Sequence, residues 1–224
     1  MRKIAITINK GGVGKTTLTK SLATAAVAAG FNVFILGMDT QHNAESWAKR
    51  RDNLQGMKLP LTRFTTEGGL DDELAAAERA GCEVAFIDTP PGRSSEAPAA
   101  VEVADLVLIP FWNDQDSYDG VLRTTGLIRR LGKGGYGVLN CAPPNSRSHE
   151  DAARTVLSRM GLPLAPVVLH RYDAHRLAST KGLTAQEFDP ESVAAAEIEM
   201  LWEWLVATLQ LGSPAPVHIE GAVA

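Results

Sequence analysis

Residues 9–17 read Asn-Lys-Gly-Gly-Val-Gly-Lys-Thr-Thr and directly follow the apolar run Ile4-Ala5-Ile6-Thr7-Ile8. These residue types in this order suit phosphate. Glycines let backbone N–H groups converge on an anion in conformations that a Cβ would obstruct. A lysine meets the β- and γ-phosphates, a threonine hydroxyl ligates Mg²⁺, and the start of the next helix turns its free N–H groups toward the anion. Gly11, Gly12, Val13 and Gly14 supply the backbone, Lys15 the charge, and Thr16 the metal ligand beside Thr17. ATP and Mg²⁺ are the expected ligands. The general pattern G-x-x-x-x-G-K-[ST] asks for glycine at position 9, where Asn9 stands, and a second lysine, Lys10, lies inside the loop.

A carboxylate is needed to complete the Mg²⁺ shell, because this hard cation prefers oxygen ligands and keeps several waters. The apolar run Val84-Ala85-Phe86-Ile87 ends in Asp88, followed by Thr89-Pro90-Pro91-Gly92. In P-loop enzymes a strand-end Asp orders the metal through water, which makes Asp88 the candidate.

The loop with its extra lysine resembles the deviant Walker A motif of the ParA/MinD ATPase family, in the short form without an N-terminal helix-turn-helix. The resemblance covers most of the chain, from Lys3 to about Leu211. It implies that Lys10 reaches across a dimer interface to nucleotide held by the other subunit. Family members usually read Asp-x-Asp-Pro-Gln after the second strand, and the second Asp orients the attacking water. Here the segment is Gly37-Met38-Asp39-Thr40-Gln41, so Asp39 and Gln41 match while Gly37 and Thr40 depart. Asp39 is therefore either the catalytic carboxylate, with Lys10 and Lys15, or an N-cap for the next helix. Asn140, after Val138-Leu139, falls where the family carries an Asn that contacts the adenine edge; a plain turn residue is the alternative.

The elements that must position these groups alternate along the chain. Apolar runs predict strands over 3–8, 32–38, 61–64, 84–88, 106–111, 137–139 and 166–169, several of them continuous enough for parallel strands covered on both faces. Helical patterning covers 18–29, 45–51, 70–80, 97–104, 119–131 and 151–160. Gly30, Gly81, Gly132 and Gly161 stand just past such stretches, where a helix C-cap favours glycine. The expectation is an α/β P-loop NTPase fold, a doubly wound, mainly parallel sheet with helices on both faces and its ligand at the carboxyl ends of strands. Residues 1–211 are expected to form a single ATPase domain and residues 212–224 a frayed tail.

The 224 residues are 45% hydrophobic and 21% charged, with no apolar run long enough to span a bilayer. Only Arg2 and Lys3 lie between Met1 and the first apolar run, so no secretory leader is expected. Cys82 and Cys141 read as buried small hydrophobes in a reducing cytosol. The three histidines of the 147–181 stretch, His149, His170 and His175, lack metal-ligand spacing. Trp47, Trp112, Trp202 and Trp204 read as core or interface packing.

The net charge of −4 is unevenly spread. Residues 147–181 hold six Lys/Arg against three acids, whereas residues 182–224 hold seven acids and no base. The basic stretch suits non-specific phosphate contact, with Arg147, Arg171, Arg176 and Lys181 as DNA-binding candidates. An ordinary solvated face is the alternative.

The resemblance implies an ATP-dependent homodimer that binds DNA and partitions a plasmid or chromosome. A ParB-type centromere-binding partner would stimulate hydrolysis, in the cytoplasm and on the nucleoid. A ParA relative positioning a protein cargo stays open. A MinD-like membrane cycle fits less well. Ile198, Leu201, Trp202, Leu205 and Leu209 form an apolar stripe, but Glu197, Glu199 and Glu203 accompany it and no Lys or Arg follows Lys181. No membrane partner is expected. A metabolic ligase such as a dethiobiotin-synthetase-like enzyme also remains open. An iron–sulfur carrier would need cysteines in a ligand loop, where neither Cys82 nor Cys141 lies.

Overall fold

The computed structural model describes residues 1–51, 54, 59–92, 94–144 and 147–214. Six parallel strands form one sheet in the order β3-β2-β4-β1-β5-β6. They are β1 (Arg2–Ile6), β2 (Val33–Gly37), β3 (Leu61–Phe64), β4 (Val84–Asp88), β5 (Leu106–Phe111) and β6 (Gly135–Leu139). The period-2 alternation of side chains sends neighbouring residues to opposite faces, and both faces are buried. Ile4, Ile6, Ile35 and Phe86 face one core, packed by α1 (Lys15–Ala28), α2 (Asn43–Arg51) and α9 (Val193–Leu209). Ala5, Leu36, Ile87 and Ile109 face the other, under α3 (Leu70–Arg79), α4 (Glu96–Val103), α5 (Gln115–Arg130) and α6 (Arg147–Met160). The doubly wound expectation holds.

Strand order matters for the site. The first strand lies in the middle of the sheet, with β4 on one side and β5 on the other. The chain passes from β1 to β2 on one side and later from β4 across β1 to β5 on the other, and this change of direction opens a crevice at the carboxyl end of β1. Register then aligns Ile6 with Asp88 and Gly37 with Asp88, so three strand ends meet in one row.

The strand expected over 166–169 does not form. The isolated bridges Gly137 to Leu164 and Ala142 to His170 flank that segment on either side. Pro163 and Pro166 lack the N–H groups a ladder requires, so the chain runs along the edge of β6 through single bonds such as Leu169 N to Leu139 O, 2.9 Å. Two helices start four residues earlier than periodicity suggests, at Gln115 and Arg147. For α5 the reason is a cap: the Asp114 carboxylate accepts from Ser117 N at 2.8 Å.

Beyond β6 the chain adds α7 (Asp173–Thr180) and α8 (Ala185–Phe188) before α9. The apolar stripe of α9 is buried, with Trp202 against Phe31 and Phe86 and Trp204 against Tyr136. No helix among the described residues is long and apolar enough to cross a membrane. Of the tail, 215–224 lie outside the described residues; Pro214 sits against Gly30.

Candidate functional site

The loop after β1 turns through Gly12 at φ +76° and Gly14 at φ +92°, conformations that L side chains rarely adopt. Nothing lies within 4 Å of the place a Cβ on Gly12 would take, so the loop leaves an open cradle. Gly14 caps α1 without any side-chain bond, which leaves the helix's first N–H groups free for an anion. The Lys15 ammonium is buried and donates to Lys10 O at 3.0 Å. Burial lowers its pKa, against the pull of Asp88 and Asp39.

Asp88 is fully buried at the end of β4, and its Oδ1 has no hydrogen-bond partner. Burial pushes its carboxyl up to about 6, while a hydrogen bond from Thr16 and the charges of Lys15 and Lys20 pull the other way. An orphaned carboxylate oxygen beside a threonine hydroxyl at a helix start fits a hydrated Mg²⁺. The residues present therefore suit the metal: Thr16 would ligate it and Asp88 would hold its water.

Two adjoining cavities meet at Gly12, Gly14 and Thr17. The smaller, about 490 Å³, is lined by Lys15, Thr16, Lys20, Asp39 and Gln41 and is polar. The larger, about 680 Å³, continues past Leu18, Asn140, His170 and Tyr172. Their succession suits phosphates in the first and a nucleoside in the second. Asp39 does not cap α2, which starts at Asn43; its Oδ1 accepts from Gln41 N at 3.0 Å and the residue borders the phosphate cavity. Asn140 ties β6 to the loop, donating through Nδ2 to Val13 O at 2.7 Å.

The two loop lysines part company. Lys15 points into the cavity, whereas Lys10 pairs with Asp114 Oδ1 at 2.6 Å and lies 5.9 Å over the Trp112 ring. Trp112 is 39% exposed, so it belongs to the surface around Lys10 rather than to the core. The basic segment is also divided. Arg154 is paired with Glu150 at 2.8 Å, and Lys181 lies over Phe188. Arg147 is exposed at the start of α6, while Arg171 and Arg176 line the mouth of the larger cavity.

Several residues went unnoticed in the sequence. Lys20, one helical turn beyond Thr16, borders the phosphate cavity, and burial lowers its pKa to about 8. Glu45 from α2 reaches over Gly37: a Cβ at position 37 would collide with its Oε1, which is buried and unpartnered. The place left by the missing family Asp is thus occupied by a carboxylate from another element. Arg51 ends α2 in a fork to Glu187, both N–H···O distances 2.6 Å, with a further bond to Gly182 O. This fork holds α2 against the α7–α8 region. For Lys20 the only sequence signal was a charge among the apolar and small residues of α1; Glu45 and Arg51 lie in the polar helix α2, where charges are ordinary.

Fold and loop together define a P-loop nucleotide-binding protein. The chain belongs to the CobQ/CobB/MinD/ParA nucleotide binding domain family, whose pattern it matches over residues 4–188. It is 30% identical over 200 residues to the maintenance of carboxysome distribution protein A of Gloeobacter kilaueensis, covering 88% of this chain and 90% of that protein. It is 29% identical over 156 residues to the chromosome-partitioning ATPase Soj of Thermus thermophilus, covering 58% of this chain and 61% of Soj. The fold matches the septum site-determining protein MinD of Pyrococcus horikoshii complexed with Mg-ADP, at TM-score 0.72 and 18% identity over 93% of this chain and 97% of that one.

Proposed function

We propose that the chain is a Mg²⁺-dependent ATPase that dimerises on ATP, holds DNA without sequence preference and uses that cycle to segregate a plasmid or chromosome with a ParB-type centromere-binding partner. Residues 1–211 act as its one ATPase domain, and it works in the cytoplasm on the nucleoid. The observation that supports this most directly is the split between Lys15 and Lys10. One ammonium serves its own phosphate cavity, while the other sits outside it on Asp114.

In this reading the free N–H groups of Gly11 to Thr17 and the Lys15 charge hold the phosphates. Mg²⁺ at Thr16 and Asp88 supplies charge neutralisation. Asp39 orients water for in-line attack, which phosphoryl transfer requires more than covalent catalysis. Lys10 reaches the partner's phosphates, and Asn140 helps to hold the base. Arg147, Arg171, Arg176 and Lys181 contact DNA phosphates, twice over in a dimer.

A second reading, a ParA-like ATPase that positions a protein cargo, draws support from the carboxysome-distribution relative, most of whose length this chain covers. A membrane-cycling role draws none from α9, whose stripe of Ile198, Leu201, Trp202, Leu205 and Leu209 is buried. The test is DNA binding by gel shift with ATP, with ADP and without nucleotide, each with Mg²⁺. Retention in ATP alone is expected. Equal retention in all three would refute the ATP-gated DNA cycle.

A further inference from the structure

The two cavities of the site share five lining residues, Gly12, Gly14, Thr17, Arg50 and Ser179. The first three belong to the glycine loop and the start of α1, whereas Arg50 comes from α2 and Ser179 from α7. Two arginines therefore end α2 in opposite states. Arg51 is buried in its fork to Glu187. Arg50 is exposed at the cavity junction, and its guanidinium has no hydrogen bond or ion pair among the described residues.

The backbone that carries Arg50 is held in place. Next to it, Arg51 donates to Gly182 O at 3.0 Å. A Cβ on Gly182, at φ +75°, would stand 3.0 Å from Arg50 Cβ and 3.1 Å from Arg50 C, so the turn after α7 seats directly against this residue. Charge at the junction is out of balance. The polar cavity is lined by the cations Lys15, Lys20 and Arg50 and by one carboxylate, Asp39. The pKa of Lys20, lowered mainly by burial, is lowered further by Arg50. An anion in the cavity offsets that repulsion.

In a nucleoside diphosphate the α-phosphate joins the ribose to the β-phosphate, so it is the group that must cross from the larger cavity into the polar one. We infer that Arg50 binds the α-phosphate from the α2 side of the junction, while the loop N–H groups hold the phosphates from the α1 side. The planar guanidinium can give two parallel N–H bonds to phosphate oxygens, which a lysine cannot reproduce. This inference rests on the nucleotide reading above and adds to that site a phosphate ligand from outside the glycine loop.

The test measures ADP binding to the full chain with Mg²⁺ by isothermal titration calorimetry, where no turnover intervenes. Arg50→Met keeps the stem, removes the charge, and should weaken ADP by about tenfold or more, the scale of a charged hydrogen bond to phosphate. Arg50→Lys should restore part of the loss. Lys49→Met removes an exposed charge that lines neither cavity and should leave affinity unchanged. The two α-thio diastereomers of ADP carry sulfur in place of one or the other non-bridging α-oxygen. Their affinity ratio should shift severalfold between the unaltered protein and Arg50→Met.

Unchanged ADP affinity in Arg50→Met, folded by circular dichroism, would overturn the inference and leave the nucleotide reading intact. An equal loss in Lys49→Met would overturn it too, by showing a diffuse field rather than a contact. Weakened ADP with an unshifted diastereomer ratio would refute the α-phosphate placement. Failure of the unaltered protein to bind ADP would overturn both readings.

Discussion

Lys20 offers a prediction in which stability and function pull in opposite directions. Its side chain lies in α1 with only 9% of the residue exposed, its Nζ 5.8 Å over the Trp47 ring. Burial is the largest influence on it and Arg50 adds to the cost, while Asp88 and Glu45 offset part of it, leaving a pKa of about 8 against the ordinary 10.5. That difference disfavours the charged form by about 3 kcal/mol, at 1.36 kcal/mol per pKa unit. Below pH 8 the folded protein carries this penalty in full, because both states hold the proton. Between about pH 8 and pH 10.5 the folded state gives up its proton first, so wild-type stability rises with pH across that window. Lys20→Met keeps the aliphatic stem and removes the charge. Near neutral pH it should be more stable by about 2–3 kcal/mol, allowing for residual solvent contact, and the advantage should close by about pH 10.

Urea unfolding followed by circular dichroism at about pH 7 and about pH 10 measures the difference directly. The same variant should bind Mg-nucleotide at least about tenfold more weakly, because it removes an ammonium that borders the polar cavity and is within reach of a phosphate, an interaction of about 1.5–3 kcal/mol when charged. A variant less stable than wild type at neutral pH would refute the reasoning, as would an advantage of equal size at both pH values.

Asp39→Ala should keep ATP binding and dimerisation while turnover falls roughly 10²-fold or more, as for loss of a group that handles the attacking water; phosphate release at the wild-type rate removes that role, whereas Lys15→Ala should abolish tight ATP binding altogether. Lys10→Ala should still bind nucleotide in its own cavity and fail to form an ATP-dependent dimer by light scattering; an unimpaired dimer ends the cross-subunit assignment. Alanine at Arg171, Arg176 and Lys181 together should weaken binding to unrelated DNA sequences alike, and the salt slope should flatten by about one unit per lost phosphate contact. Full affinity in a gel shift with ATP and Mg²⁺ would move the DNA surface elsewhere.

The nucleotide loop was legible in the sequence because its requirements are local. Gly12 and Gly14 occupy positive φ, Lys15 and Thr16 follow at fixed spacing, and the helix start lies next door in the chain. The sheet was legible for a similar reason, since continuous apolar runs mark strands covered on both faces. The exception, 166–169, looked like a strand by composition, but Pro163 before it and Pro166 at its start deny the ladder its donors.

What only the tertiary structure decided are pairings whose partners are distant in the chain. Lys10 meets Asp114, 104 residues away, because β1 and β5 are neighbours in the sheet. The orphaned oxygen of Asp88, the Glu45 carboxylate over Gly37 and the Glu197 grip on His170 depend equally on which elements the strand order and helix packing bring together. Local periodicity specifies which face of an element is buried. It carries no information about which polar group from another element will share that face, and at this site those shared faces set the lowered pKa of Lys20, the pairing of Lys10 with Asp114 and the contact of His170 with Glu197.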